Sequence, residues 1–234
     1  MPLSLKLHNF FNNRLSTSLL FDLDGTLTDS KDGIINSVLY SLHRLGIYNI
    51  SQETLISFIG PPLRESFSKS LGLSHQDSEL AVQYYREYYM DKGMYENSVY
   101  EGIPELLTFC KKESITLYVA TAKPEHYAGK IIEHFNLDPF FKDICGCTLD
   151  ATRDNKTAVI GYVLQKHGLY TDNTIMIGDR EHDINGAHSH NVRSIAVGYG
   201  YGTRKELQDC NPSYYAVTVK ELQQLISTFI IVRQ

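Results

Sequence analysis

Three things are scarce in this 234-residue chain, and each scarcity closes off a class of protein. Long apolar runs are missing: none approaches the roughly 20 residues that a membrane-spanning helix needs. The start, Met1 to Ser18, is broken by Lys6, Asn9, Asn12, Asn13 and Arg14, so it lacks the apolar centre of a secretory signal. Arg14 and Ser16 lend it a faint transit-peptide character, but residues 1–16 read as a short N-terminal extension. Positive charge is not in excess: 22 Lys and Arg against 27 Asp and Glu give a net charge of -5. Such a surface offers no basic field to nucleic acid. Cysteine is sparse, with Cys110, Cys145, Cys147 and Cys210 too few for a disulfide framework in a chain of this length. The close pair Cys145-Gly146-Cys147 reads as reduced, half-buried thiols. There is no internal repeat and no low-complexity tract. The expectation is a cytoplasmic protein, monomer or homodimer, with neither nucleic acid nor membrane as partner.

What is present is ordinary in amount, 42% hydrophobic and 21% charged residues, and informative in order. Leu19-Leu20-Phe21-Asp22-Leu23-Asp24 is a short apolar run ending in acids and Gly25, the pattern of a buried strand entering a turn. Further strands are expected at Ile115–Ala120, Thr174–Gly178 and Ser194–Gly198. Helical patterns separate them at Pro104–Lys112, Pro124–Phe135, Asn155–His167 and Asp183–His190, with a last helix over Val219–Phe229. Alternating strands and helices imply an α/β fold, a doubly wound parallel sheet. One stretch breaks the alternation. Residues 32–98 carry helical spacing (Ile34, Val38, Leu42, Leu45) and no convincing strand. This block is expected to be a small α-helical cap, residues 32–98, inserted into a core of residues 17–31 and 99–234. It would sit over the carboxyl ends of the strands, where open α/β sheets bind ligands. Tyr84, Tyr85, Tyr88 and Tyr89 within it read as a packed amphipathic face rather than a ligand cage.

Chemistry gathers at the expected strand ends. Asp22 and Asp24 leave the first strand together, and two carboxylates so close are costly unless a cation neutralises them. Turn or helix capping is the bland alternative, weakened because Asp179 and Asp183 stand at the end of another strand. An oxygen-rich cluster of this kind suits Mg²⁺. Thr121 precedes Ala122-Lys123-Pro124 and a helix start, where a hydroxyl and backbone N–H groups make an anion site, although Thr121 could simply cap. Lys156 opens an amphipathic helix, at the end where the helix dipole disfavours a cation. A phosphate between Lys156 and Thr121 would supply a reason. His182, His188 and His190 could form a transition-metal site on paper, but the oxygen cluster is the better metal site.

The string Phe21-Asp22-Leu23-Asp24-Gly25-Thr26-Leu27-Thr28-Asp29-Ser30 resembles the first motif of the haloacid dehalogenase superfamily of phosphohydrolases. Thr121, Lys156 and the pair Asp179 and Asp183 match its second, third and fourth motifs, in order, over Leu19 to Ile226. The helical insertion resembles the cap of the phosphoglycolate-phosphatase-like branch, and Phe58-Ile59-Gly60-Pro61-Pro62-Leu63 is similar to a cap loop there. Gly178 to Ala187, with Gly198-Tyr199-Gly200-Tyr201-Gly202, looks closest to 5′-nucleotidase-like members. The resemblance implies a Rossmann-like core and a Mg²⁺-dependent phosphatase of a small phosphorylated metabolite. Asp22 would be the nucleophile that becomes an aspartyl-phosphate, and Asp24 the general acid and base. Thr121 and Lys156 would bind the phosphoryl oxygens. Asp22, the Asp24 carbonyl, Asp179 and Asp183 would hold the metal. Gly60, Arg64, Ala122 and Lys123 are the substrate candidates, Arg64 for its bidentate grip on an anion. Tyr201 and Arg204 could contact substrate or only pack and cap. Gly25 and its neighbours would act as hinges for cap closure. The alternatives are a phosphosugar mutase, which shares every core residue, and a non-catalytic binding or regulatory protein on the same fold. A dehalogenase proper needs neither Asp24 nor the fourth-motif acids.

Overall fold

The structure, a computed structural model, describes residues 17–150 and 152–231. The extension over residues 1–16 lies outside the described residues. Six parallel strands form one sheet in the order β5-β4-β1-β6-β7-β8. They are β1 (Ser18–Phe21), β4 (Thr116–Pro124), β5 (Phe141–Cys147), β6 (Thr174–Gly178), β7 (Arg193–Val197) and β8 (Tyr214–Ala216). All four residues of β1 are buried, because β4 and β6 flank it and helices cover both faces. The expected α/β doubly wound architecture is what forms. Helices Ile103–Lys112, Glu125–His134, Lys156–His167, Glu181–His188 and Val219–Ile231 connect or follow the strands, close to the expected bounds. Helix Lys156–His167 starts where the Asn155 side chain accepts the Ala158 amide, and it stops at left-handed Gly168.

Several elements differ from expectation. β5 and β8 lie toward the sheet edges and carry mixed residues, so no apolar run announces them. Thr28–Asp29 (β2) and Ser98–Val99 (β3) make a two-residue antiparallel pair. The helical stretch therefore ends in a strand, one too short to show alternation. Helix Glu181–His188 begins two residues earlier than expected, because the Asp183 carboxylate accepts the Arg180 amide at 3.1 Å across its first turn. A short helix, Arg204–Asp209, was not expected and is capped by Thr203.

Between β2 and β3 run helices Lys31–Arg44, Gln52–Ile56, Leu63–Leu71 and His75–Tyr88, then a π-helical turn, Tyr89–Gly93. Ser51 and Ser74 cap two of these helices by accepting amides three residues on. No described helix is long and apolar enough to cross a membrane. Among the glycines of this stretch the tightest is Gly33, where an added Cβ would lie 1.8 Å from the Gly93 carbonyl oxygen. Gly33→Ala is therefore expected to destabilise the protein by ~1–3 kcal/mol through overpacking. Gly129→Ala, in a helix with open space around it, is expected to be neutral or to stabilise by up to ~1 kcal/mol. Thermal unfolding of both variants checks this, and a Gly33→Ala protein as stable as the parent would refute the tight packing.

Candidate active site

Because β1 lies between β4 and β6, the connections leave its two sides in opposite directions and open a crevice at the carboxyl ends. Asp22 is the first residue past β1 and is held by its amide on the Ile177 carbonyl at 2.9 Å. The chain then turns sharply, with the Leu23 carbonyl receiving the amides of Leu27 (2.9 Å) and Thr28 (3.0 Å). Gly25 sits in this turn at φ +84°, and a Cβ there would fall 2.2 Å from Asp179 Oδ2. Only glycine meets both demands. Asp179 follows β6, fully buried, and accepts the Tyr201 amide at 2.7 Å and the Thr26 hydroxyl at 3.4 Å. Asp183, in the first turn of the next helix, accepts the Arg180 amide at 3.1 Å.

Lys156 draws these strand ends together. Its side chain is buried, with Nζ 2.5 Å from Asp22 Oδ1, 2.7 Å from Asp183 Oδ1 and donating to the Ala120 carbonyl at 3.1 Å. The position that the helix dipole disfavours is thus occupied because two carboxylates await it. Thr121 is buried beside this group, and its hydroxyl accepts the Lys123 amide at 3.2 Å. Burial pushes the Asp22 carboxyl up to about 6, with the charges of Asp183 and Asp24 adding to the shift and Lys156 opposing it. Burial, then Asp183 and Asp22, raise Asp179 as well. Burial works against the charged form of Lys156, but Asp183 and Asp22 together outweigh it and its pKa is raised.

One ammonium does not neutralise three buried acids. Asp22 Oδ1 and Asp183 Oδ1 touch Lys156 at ion-pair distance without hydrogen-bond geometry, and Asp24 Oδ1 is buried with no hydrogen-bond partner. Asp22, Asp179 and Asp183 each offer an oxygen, all within 4.8 Å of one another. Such an all-oxygen, under-neutralised set fits a hard divalent cation like Mg²⁺. A second group, Asp143, Cys145 and His167, lies away from the crevice along β5. There Lys166 and His167 both hold Asp143 Oδ2 at 2.7 Å, so that cluster is already satisfied. His182, His188 and His190 do not come together as a metal site among the described residues; His190 bonds the Thr157 carbonyl at 2.9 Å.

The crevice is roofed by the helical stretch, leaving a cavity of ≈ 250 Å³. Asp22, Asp24, Thr121 and Lys156 line it, as do Gly60, Arg64, Ala122 and Lys123. Arg64 is engaged within the roof, its Nη2 donating to Glu79 Oε2 at 3.0 Å. Lys123 pairs with Asp24 Oδ2 at 2.9 Å. Tyr201 packs and caps: its hydroxyl donates to Asp29 Oδ1 at 2.7 Å, and neither it nor Arg204 lines the cavity. Tyr85 and Tyr89 do pack, as expected, yet both also line the cavity. Sequence reasoning missed Arg180 too, which donates to the Ile59 carbonyl beneath the roof and pairs with Glu206 at 2.8 Å. Its place inside Gly178–Asp183 was the available signal. Cys145 and Cys147 are free and buried, and burial raises their thiols to about 12 and about 11.

The sequence profile of the haloacid dehalogenase-like hydrolases matches residues 19–197. A 5′-nucleotidase of Pseudomonas aeruginosa is 44% identical over 211 residues, spanning 90% of this chain and 96% of that protein. The tyrosine-protein kinase PtkA of Mycobacterium tuberculosis is 33% identical over 89% of this chain and 72% of its own length. The crystal structure of a predicted phosphatase from Clostridium acetobutylicum superposes with a TM-score of 0.87 at 42% identity, covering 92% of this chain and 99% of that one.

The burial of Asp22 among these acids has a measurable consequence in chelated buffer. Burial holds the folded Asp22 carboxyl up at about 6, against its ordinary value of about 4 in the unfolded chain. Between these values the folded state holds the extra proton, so its stability falls as pH rises, by up to ~1.4 kcal/mol per unit. Asp22→Asn removes that slope. Denaturant unfolding of both proteins from pH 4 to 7 is expected to show the variant gaining on the parent as pH increases; a constant difference would contradict the raised position of the buried Asp22 carboxyl.

Proposed function

The chain belongs to the haloacid dehalogenase-like hydrolase family, and from that premise we propose that it is a Mg²⁺-dependent phosphatase of small phosphate monoesters, with 5′-nucleotides as the preferred class. The observation that carries this reading is the convergence of Asp22 and Asp183 on Lys156, with Thr121 lining the same roofed cavity. The identity to the Pseudomonas nucleotidase, over nearly the whole of both chains, supports the substrate class.

In this mechanism a carboxylate oxygen of Asp22 attacks phosphorus, and the bond from phosphorus to the leaving oxygen breaks. Asp24 gives that oxygen its proton. Asp24, now a carboxylate, takes a proton from water as the water attacks the aspartyl-phosphate, which frees phosphate and restores Asp22. Lys156 and Thr121 bind phosphoryl oxygens and balance their charge. Asp22, the Asp24 carbonyl, Asp179 and Asp183 would hold Mg²⁺, directly or through water. When bound, the ion shields Asp22 from the incoming phosphate charge and polarises the phosphoryl group.

Phosphate release from 5′-nucleotides, phosphoglycolate, sugar phosphates and an aryl phosphate, with and without Mg²⁺, tests the reading. Magnesium-dependent turnover ranked highest on nucleotides is expected; retention of the phosphoryl group, or its passage to a second sugar phosphate or to tyrosine, would replace it. Asp22→Asn is expected to fall to background while staying folded. Asp24→Asn should lose ~10²–10⁴-fold on substrates with poor leaving groups and far less on the aryl phosphate. Equal losses on both would remove the acid role.

A further inference from the structure

We propose that Tyr89 and Lys123 form a strut that positions Asp24, so that the helical insertion takes part in the proton-transfer step; this rests on the phosphatase reading above. Three separate segments meet at one ammonium. Lys123 Nζ, near the end of β4, lies 2.9 Å from Asp24 Oδ2 and donates to the Tyr89 hydroxyl at 2.6 Å. It also sits 4.8 Å from the centre of the Tyr89 ring. The Lys123 side chain is 7% exposed and that of Asp24 12%, so water does not replace these partners cheaply.

The two oxygens of Asp24 are unequal in consequence. Oδ2 is held by Lys123, whereas Oδ1 is buried with no hydrogen-bond partner. The strut fixes the carboxyl plane through one oxygen and leaves the other for chemistry. Oδ1–H then passes its proton to the leaving oxygen as the P–O bond breaks, and the resulting carboxylate recovers a proton from the attacking water. Lys123 keeps its place on Oδ2 and exchanges no proton in this scheme, which makes it a positioning residue rather than an acid.

Tyr89 is shaped for this task. It opens the π-helical turn that ends helix His75–Tyr88, and a wider turn re-aims the side chain it carries. Its ring stacks on Tyr85 (5.3 Å, 15°) and meets Tyr127 edge-on (5.6 Å, 73°). Burial and the charge of Asp24 keep the phenol neutral by raising its pKa. The hydroxyl thus stands at a fixed point as an acceptor. If the helical segment is displaced, Lys123 loses this acceptor and Asp24 its orientation. Proton transfer is thereby tied to closure over the substrate.

The test compares the parent, Tyr89→Phe, Lys123→Met and the double variant, with Mg²⁺, on a 5′-nucleotide and on p-nitrophenyl phosphate. Tyr89→Phe keeps the ring and loses the acceptor. Its kcat is expected to fall about tenfold on the nucleotide, where the leaving group needs the proton, and less than about threefold on the aryl ester, with KM nearly unchanged. Lys123→Met should fall further in the same pattern. Equal losses on both substrates, or a change in KM alone, overturn the inference. Hydrogen exchange at residues 89–93 and 121–124 supplies a readout without turnover. The double variant is expected to lose no more protection than Lys123→Met alone, as for one shared contact, and additive losses refute the strut. A parent protein inactive on both substrates overturns the phosphatase reading, and the proton-transfer role with it; an active parent with equal losses overturns the strut alone.

Discussion

The ammonium of Lys156, lodged between Asp22 and Asp183, is the contact on which the strand ends depend. Three carboxylates buried within a few ångströms of one another resist ionisation, through burial first and mutual repulsion second, and both raise Asp22 and Asp179. Lys156 is the cation that makes their gathering tolerable, and its bond to the Ala120 carbonyl ties the end of β4 to those of β1 and β6. A lysine at the first position of a helix opposes the dipole by a fraction of a kcal/mol to about 1 kcal/mol. Leaving a buried charge without its partner costs about 3–5 kcal/mol. The larger effect fixes the residue. The neutralisation is also incomplete, and the remaining all-oxygen negative charge would suit a hard cation.

That balance requires the segments to approach more closely than side chains ordinarily allow. Gly25 brings the turn after β1 against the Asp179 carboxylate, and the loop after β7 delivers the Tyr201 amide to the same group. Asp179 is therefore oriented by backbone rather than by a long flexible partner. The Arg180 amide does the same for Asp183. Acids oriented in this way need little rearrangement to receive a cation or a phosphoryl group, which is the sense in which such a site is preorganised.

The sequence made the centre of this arrangement legible and its roof less so. Buried strands β1, β4, β6 and β7 announce themselves as apolar runs. The four acids and Thr121 stand at or just past the ends of those runs, and Lys156 opens the helix that follows β5, in an order that one family shares. β5 (FKDICGC) and β8 (YYA) have neighbours of mixed polarity, so periodicity is silent there. Arg64 looked free for an anion because nothing local opposes it, yet the chain returns 15 residues later with Glu79 to hold it. Tyr89 is indistinguishable in sequence from Tyr84, Tyr85 and Tyr88. Only a π-helical turn, which spacing at 3.6 residues does not foresee, separates its environment from theirs. Polar contacts formed across distant segments are the information that a single pattern lacks.

Those contacts also differ in kind from the ones that hold the sheet. The strands are joined by backbone ladders and apolar burial, which water cannot replace piecemeal. The ties described from the strand ends to the helical roof include two polar ones, Arg180 to the Ile59 carbonyl and Lys123 to the Tyr89 hydroxyl. Hydrogen bonds of this sort exchange for water at a net cost of about 1–3 kcal/mol each, within the range of motions that admit substrate and release product. Arg180 lies between Asp179 and Asp183, and Lys123 two residues beyond Thr121. On the proposed function, each tie is therefore adjacent to a group that binds the metal or the phosphoryl oxygens. Occupation of the centre and closure of the roof would then be felt through the same few residues.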